Sequence, residues 1–412
     1  MLRRHCLLTT ALLVGMLLTS SAWGYDPVVR TGREVWPEPP LPKLPKAGET
    51  LVDPVFCTTI LRVTDEADGK SCHNAYAYWP TFNRDATRFH INCGGVAMLY
   101  AFDPETFKVL GKEKLFAVQA PGGGTPNWED ATWSGTDPDV LFGHTGLNIW
   151  AYNVVKKEYT LVRNFAKEFP EPKGAFVSQM TVSIDDEVFA FKLKGPGPKW
   201  AVLGWGAWRR DTDKMLVNRK AARGFDECHV DKSGRYLLVK ERKGPIESAV
   251  VDLVTGKTEY LTDAAPDFGP GHSDNGHDCV VGAENHRNRI LFRKLSDPHR
   301  FTTVLDMKND WSQPKHISML ADDEDWVLVS NYPKQSTPGL FHGEIFQVAT
   351  DGSERVRRLC HHRSVYKSYW DTPRANISRD GRFVVFTSNW GGSDRRDVFI
   401  LRVPDIPGKK KQ

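Results

Sequence analysis

The chain has 412 residues and a formal net charge of +4, from 55 lysines and arginines against 51 aspartates and glutamates. That near balance argues against a nucleic-acid surface of the concentrated basic kind, and the length suits one large closed all-β domain. No glycine-rich strand-to-helix turn and no GxSxG elbow occurs, which sets aside nucleotide cofactors and serine hydrolases.

Residues 1–24 read as an export signal. Arg3 and Arg4 are followed by an apolar run from Leu7 to Leu18, and Ala22-Trp-Gly24 puts small residues at the two cleavage-determining positions. The run is short for a membrane span, and no later segment is a better candidate. The expectation is a periplasmic or secreted protein with no membrane span and no nucleic-acid partner. Residues 25–50, with WPEPPLPKLPKAGET, predict an extended proline-rich arm. Residues 51–404 carry the folded unit, and 405–412 form a basic tail whose Lys409–Lys411 run reads as a solvated end.

From residue 51 onward one pattern recurs: TFNRDATRFHINC, TWSGTDPDVLFGH, TVSIDDEVFAFKL, HVDKSGRYLLVKE, HSDNGHDCVVGAE, HISMLADDEDWVLVSN and NISRDGRFVVFTSNW. The segments begin at Thr81, Thr132, Thr181, His229, His272, His316 and Asn376, at spacings of 51, 49, 48, 43, 44 and 60 residues. Each has a polar start, a turn of the Asn-x-Asp or Asp-Gly kind and a strongly apolar strand, and a further strand pair follows. About four strands at this period predict a seven-bladed β-propeller with four-stranded blades. The segment from Thr58 to Thr64 is expected to close the ring by pairing with the last strand, Asp397 to Val403, which removes the exposed edges.

In a propeller blade the start of the innermost strand and the end of the second strand open at the same mouth of the central channel. His229, His272 and His316 occupy the same place in three consecutive repeats and are expected to converge there. Such imidazoles can bind a divalent metal, with Asp231, Asp274 or Gln313 helping. One can act as a base, since an unperturbed imidazole has a pKa of about 6.5; or all three can hydrogen-bond channel water. His277 and Asp278 are expected in the strand turn away from the mouth. Cys72 and Cys93 fall at the mouth of one blade, as a disulfide or as two separate thiols. Lys240 and Arg242 are candidates for substrate carboxylates. Tyr332, Trp390 and Asn376 are candidates for sugar contacts, beside Tyr366, Tyr369, Trp79, Trp128 and Trp370, although propeller blades also pack on one another through aromatics.

The NISRDGRFVVFTSNW unit resembles the TolB-type propeller repeat, and a histidine-bearing strand in three adjacent blades is similar to the oligogalacturonate lyases. The resemblance implies a seven-bladed propeller that cleaves uronate oligosaccharides or polysaccharides by β-elimination, using a central histidine and a divalent metal (manganese or calcium). It implies His229 in ECHVD as the base, His272 in PGHSD as a metal ligand, and His316 in PKHISML as a channel histidine beside it. The family's Gln-x-x-His-x-His stretch at the start of the last blade reads Trp370-Asp-Thr-Pro-Arg-Ala-Asn376 here, without either histidine. Arg374 stands about where a ligand would be, and an arginine can neutralise a carboxylate by a bidentate contact without a metal. His361 and His362 are the substitute ligands within reach in sequence, their plainer reading being an exposed loop pair. A non-catalytic TolB-like propeller that binds a glycan or a protein partner shares the same repeats.

Overall fold

Strand chemistry sets the layer each strand occupies. In the last repeat the second strand, Phe383–Ser388, is buried along its whole length because it packs against neighbouring blades on both faces. An outer strand such as Lys108–Lys114 (KVLGKEK) is exposed at six of its seven positions, as its polar composition requires. The turn between the first two strands of the last blade is built by Ser378-Arg-Asp-Gly381. Ser378 Oγ accepts the Phe383 amide at 3.0 Å, Asp380 accepts the Arg382 amide at 3.0 Å, and Gly381 takes a φ of +72° that a side chain would resist.

The computed structural model describes residues 30–265, 267–308, 310–332 and 339–405. Residues 1–24, expected to be an export signal, and the Lys409–Lys411 run lie outside them. Seven antiparallel sheets follow one another around a channel. The innermost strands of blades 1 to 7 are Cys72–His73, Thr132–Trp133, Phe176–Val182, Phe225–Val230, Ser273–Gly276, Lys315–Ser318 and Asn376–Ile377. Their second strands are Arg88–Cys93, Val140–Thr145, Val188–Lys194, Tyr236–Glu241, Cys279–Glu284, Trp326–Asn331 and Phe383–Ser388.

The ring closes as its sequence predicts. Thr59–Arg62 pairs antiparallel with Asp397–Arg402, with Ile60 opposite Leu401. Thr50–Val52 then adds outside it, so the seventh sheet has five strands while the other six have four. Asp397, buried, accepts Arg62 Nη2 at 2.9 Å and Thr64 Oγ1 at 2.8 Å, which fastens the closing strand through charge as well as ladder. Apolar side chains fill the gap between first and last blades, Phe82, Phe89 and Phe102 of blade 1 meeting Phe383 and Ile400 of blade 7. Each such ring or aliphatic chain stabilises by about 1.5–3 kcal/mol when fully buried. The arm packs on blades 6 and 7: Trp390 donates to the Pro42 carbonyl at 3.0 Å, and Arg30 bridges the outer strand of blade 6 at Arg358.

Candidate functional site

Register, more than the repeat motif, decides which side chains share a level in the channel. The fifth residue of each second strand (Asn92, His144, Lys192, Lys240, Ala283, Ser330 and Thr387) marks one layer near the mouth. Opposite it stand His73, Asp130, Ser178, Glu227, His272, His316 and Arg374. Two residues further along, about 7 Å deeper in a strand, the partners are Thr132, Thr181, His229, Asp274, Ser318 and Asn376. His272 and His316 are therefore equivalent, and His229 is not their equivalent. It sits one layer deeper, and the mouth position of its blade belongs to Glu227. The motif alignment slips by two residues because blade 5 turns tightly at His277 and Asp278, as expected for those two, whereas blade 4 uses the longer turn from Asp231 to Arg235.

Between the two layers the first blade sends a loop, residues 74–80 (NAYAYWP), across the channel. Trp79 Nε1 donates to the Met180 carbonyl of blade 3 at 2.9 Å, the Tyr78 hydroxyl donates to Glu227 of blade 4 at 2.8 Å, and the Tyr76 ring lies 5.0 Å from His316 of blade 6. Asn376 pins this loop from below, its amide donating to Thr81 Oγ1 at 2.9 Å and the Trp79 carbonyl at 3.2 Å. The loop divides the channel. Above it opens a cleft of about 820 Å³; below it is a cavity of about 90 Å³, and Tyr78 and Trp79 line both. His229 belongs to the lower cavity, with Tyr78 at 4.2 Å over its ring and Glu227 at 3.5 Å from its Nε2.

Around the upper layer the blades divide by how well their polar groups are satisfied. Burial pushes the Glu227 carboxyl up, but Lys240 at 2.7 Å and His229 outweigh it and hold the group well below the usual carboxylate range. Asp130 is likewise raised by burial and lowered by more, through His144 at 3.0 Å and the Gln179 amide. On the other side, His316 is stacked 5.0 Å from His272 and 4.6 Å from Tyr332, and neither of its nitrogens has a hydrogen-bond partner among the described residues. Burial first, then His272 and Arg374, push its pKa well below the ordinary value, so the ring is neutral. His272 faces the cleft. Its Nδ1 lies 2.8 Å from the Lys315 carbonyl, which can only accept, so Nδ1 carries the proton and Nε2 the lone pair. Burial, with Lys240 and Lys315 nearby, lowers its pKa against the pull of that carbonyl and of Glu227.

Arg374 completes this side. It is fully buried, takes a φ of +43°, and none of its three guanidinium nitrogens finds a hydrogen-bond partner among the described residues. Trp370 covers it at 4.8 Å and Tyr369 at 5.7 Å, and Glu129 Oε1 is 3.7 Å away. Burial raises the Glu129 pKa although Arg374 opposes the shift. Tyr369, Trp370 and Glu129 all line the cleft, so the arginine lies directly behind its wall.

Of the other expected residues, Lys240, Arg242 and Tyr332 line the cleft. Lys240 is committed to Glu227 and the Gly271 carbonyl at 2.6 Å, and Arg242 pairs with Glu247 at 2.6 Å. Trp390 and Asn376 do not reach it: Trp390 is buried, stacked 5.0 Å from Phe399, and Asn376 holds the channel loop. Asp231 and Asp274 do not serve as helpers to a ligand either. Asp231 accepts the turn amides of Arg235 and Tyr236, and Asp274 accepts the Met319 amide. His361 and His362 are buried, not an exposed pair, because they end and follow the outer strand Val356–His361 under the arm. Cys72 and Cys93 face each other across the first ladder and form a disulfide. The loop residues Tyr76 and Tyr78 were missed by sequence reasoning; the aromatic run NAYAYWP, too long for the turn it replaces, was the available signal.

A divalent metal needs at least three donors in a site of this kind. Among the described residues no group of three His, Cys, Asp or Glu side chains stands together to hold one. His272 and His316 offer two imidazoles, but the next residue around the layer is the cation Arg374. This donor set does not fit the metal that the resemblance implies.

No family model matches the chain, and no curated protein matches its sequence. Solved structures do match. An oligogalacturonate lyase from Vibrio parahaemolyticus superposes with a TM-score of 0.64 at 13% identity, over 87% of this chain and 96% of that one. An oligogalacturonate lyase in complex with manganese gives a TM-score of 0.65 at 12% identity, over 89% and 98%. The likeness shows a shared fold, the seven-bladed propeller of these lyases.

Proposed function

We propose that the protein is a carbohydrate-active lyase that cleaves uronate-containing oligosaccharides by β-elimination, with Arg374 neutralising the substrate carboxylate and His272 taking the proton. One observation carries the reading. A buried guanidinium without hydrogen-bond partners costs several kcal/mol, and a planar carboxylate entering beside it supplies the bidentate acceptor it lacks. Trp370 must swing aside to admit that carboxylate, and the residue is 41% exposed.

The chemistry requires two functions. The C5 proton of a uronate is weakly acidic, and its removal drives charge onto the adjacent carboxylate, which a fixed cation stabilises. Nε2 of His272 accepts the proton, the electron pair forms the C4–C5 double bond, and the C4–O bond breaks toward the leaving sugar. Water protonates the departing oxygen, and His272 then returns its proton to the hydroxide so formed, which restores the neutral base. His272 is preferred to His229 as the base because it faces the cleft with its lone pair outward, whereas His229 lies below the channel loop. The fold shared with oligogalacturonate lyases supports the substrate class, and the Cys72–Cys93 disulfide supports an oxidising, extracytoplasmic location.

The test is ultraviolet absorbance of a panel of uronate oligosaccharides mixed with the protein, with and without chelator, because the unsaturated product absorbs where the substrate does not. Absorbance that grows with wild-type protein and fails with His272→Asn supports the lyase. Silence across the panel, with anionic-glycan binding intact, gives the site to recognition instead.

A further inference from the structure

On the blade 5 to blade 6 side of the same cleft, away from Arg374, a second cation is held in an incomplete cradle. Lys315 lines the cleft yet is only 5% exposed. Among the described residues its Nζ has one hydrogen-bond acceptor, Asn288 Oδ1 at 2.6 Å, although an ammonium carries three donors. Asn288 is itself buried, and its side-chain amide is fixed by donating to the Asp310 carbonyl, so the acceptor is held in place; the Asp310 carboxylate is the nearby charge that also attracts Lys315. Register explains the aim of Lys315. It precedes His316 on the inner strand, so when His316 turns into the channel Lys315 turns toward blade 5.

Beside it the wall carries what a sugar ring needs. Trp311 is 52% exposed and lines the cleft, a flat apolar face for the CH side of a pyranose. Gln313, buried, has its Oε1 without a partner, an acceptor for a sugar hydroxyl. Cation, platform and acceptor fall within five residues of one segment, 311–315.

We infer that Lys315, Trp311 and Gln313 form a second subsite that takes another acidic sugar of the same chain, so that the preferred ligand carries at least two uronates and not one acidic residue in a neutral glycan. This rests on the proposed reading of Arg374 as the first carboxylate site and adds the substrate's charge pattern to it. The ammonium gains a carboxylate acceptor in place of water, a charge-assisted contact in a confined site.

The experiment is calorimetric titration with three probes: a uronate monosaccharide, an acidic uronate trimer, and the same trimer fully methyl-esterified. Wild-type protein is expected to bind the acidic trimer more tightly than the monosaccharide and to bind the ester weakly. Lys315→Met should lower trimer affinity about tenfold or more and leave the monosaccharide within about twofold. Because Lys315 is buried, the exposed Trp311→Ala is the second variant, and it should narrow the same gap between trimer and monosaccharide. The inference is overturned if both folded variants bind trimer like wild type, or if they lose monosaccharide and trimer equally. Wild-type protein that binds neither acidic probe would overturn the Arg374 reading and this subsite with it; monosaccharide binding without any gain for the trimer would overturn the subsite alone.

Discussion

Arg358 and Arg374 are two buried arginines in neighbouring blades, and they are handled in opposite ways. Arg358, on the outer strand of blade 6, is bonded in a fork to Glu344, by Nε at 2.8 Å and by Nη2, while Nη1 donates to the Glu34 carbonyl of the arm at 2.8 Å. Every nitrogen has an acceptor, and the residue ties the arm to the ring. Arg374, on the channel side of blade 7, has the same burial and no hydrogen-bond acceptor among the described residues. A protein can hold a buried charge for architecture by completing its bonds internally. It can also leave them incomplete where a ligand is to complete them, at a cost to the ligand-free fold.

That contrast can be broken at either arginine. Arg358→Met strands the Glu344 carboxylate in the interior, and the expected loss is about 3–5 kcal/mol of stability, read as an earlier denaturant midpoint with unchanged turnover per folded molecule. Arg374→Met removes a charge with nothing to strand but a partly exposed Glu129. Its melting temperature should equal or exceed that of wild type, while elimination falls by about 10²–10³-fold, the usual loss for a fixed group that stabilises developing negative charge. His272→Asn, which keeps a donor toward the Lys315 carbonyl but lacks the base, is expected to slow elimination by about 10²-fold without a change in folding.

The pH dependence sharpens the same contrast at smaller scale. His272 has a pKa below the ordinary imidazole value, through burial first, so it is unprotonated at neutral pH and becomes inactive only as pH falls through that lowered value. The acid limb of kcat/KM should therefore lie below about pH 6.5. Lys315 is pulled down to about 8, mainly by burial against the attraction of Asp310. A cation with a lowered pKa loses its charge as pH rises through that value. The KM for acidic oligosaccharides should thus climb above about pH 8, and Lys315→Met should flatten that rise.

The propeller was legible because its signals are local. A turn such as Ser378-Arg-Asp-Gly381 and the apolar strand after it are contiguous, and their spacing counts blades. The closing strand was legible too, since one apolar segment was left over before the first repeat. The site was legible in part. His272, His316 and Arg374 stand together as their positions suggested, but His229 was put one layer too high because strand register depends on the length of the following turn, and a two-residue slip leaves the motif looking intact. Trp390 and Asn376 were misjudged because their partners, Pro42, Phe399 and the channel loop, are mostly distant in sequence. No local pattern could reveal that Arg374 has no hydrogen-bond acceptor among the described residues, since that is a property of the blades around it.

The most direct measurement is the melting temperature of chelator-treated wild type and Arg374→Met, each with and without a saturating uronate oligosaccharide. The account predicts that the ligand raises the wild-type transition, and that the variant melts at or above ligand-free wild type with no response. A variant that melts well below wild type, or that is stabilised by the ligand to the same extent, would contradict the claim that Arg374 is completed by the substrate carboxylate.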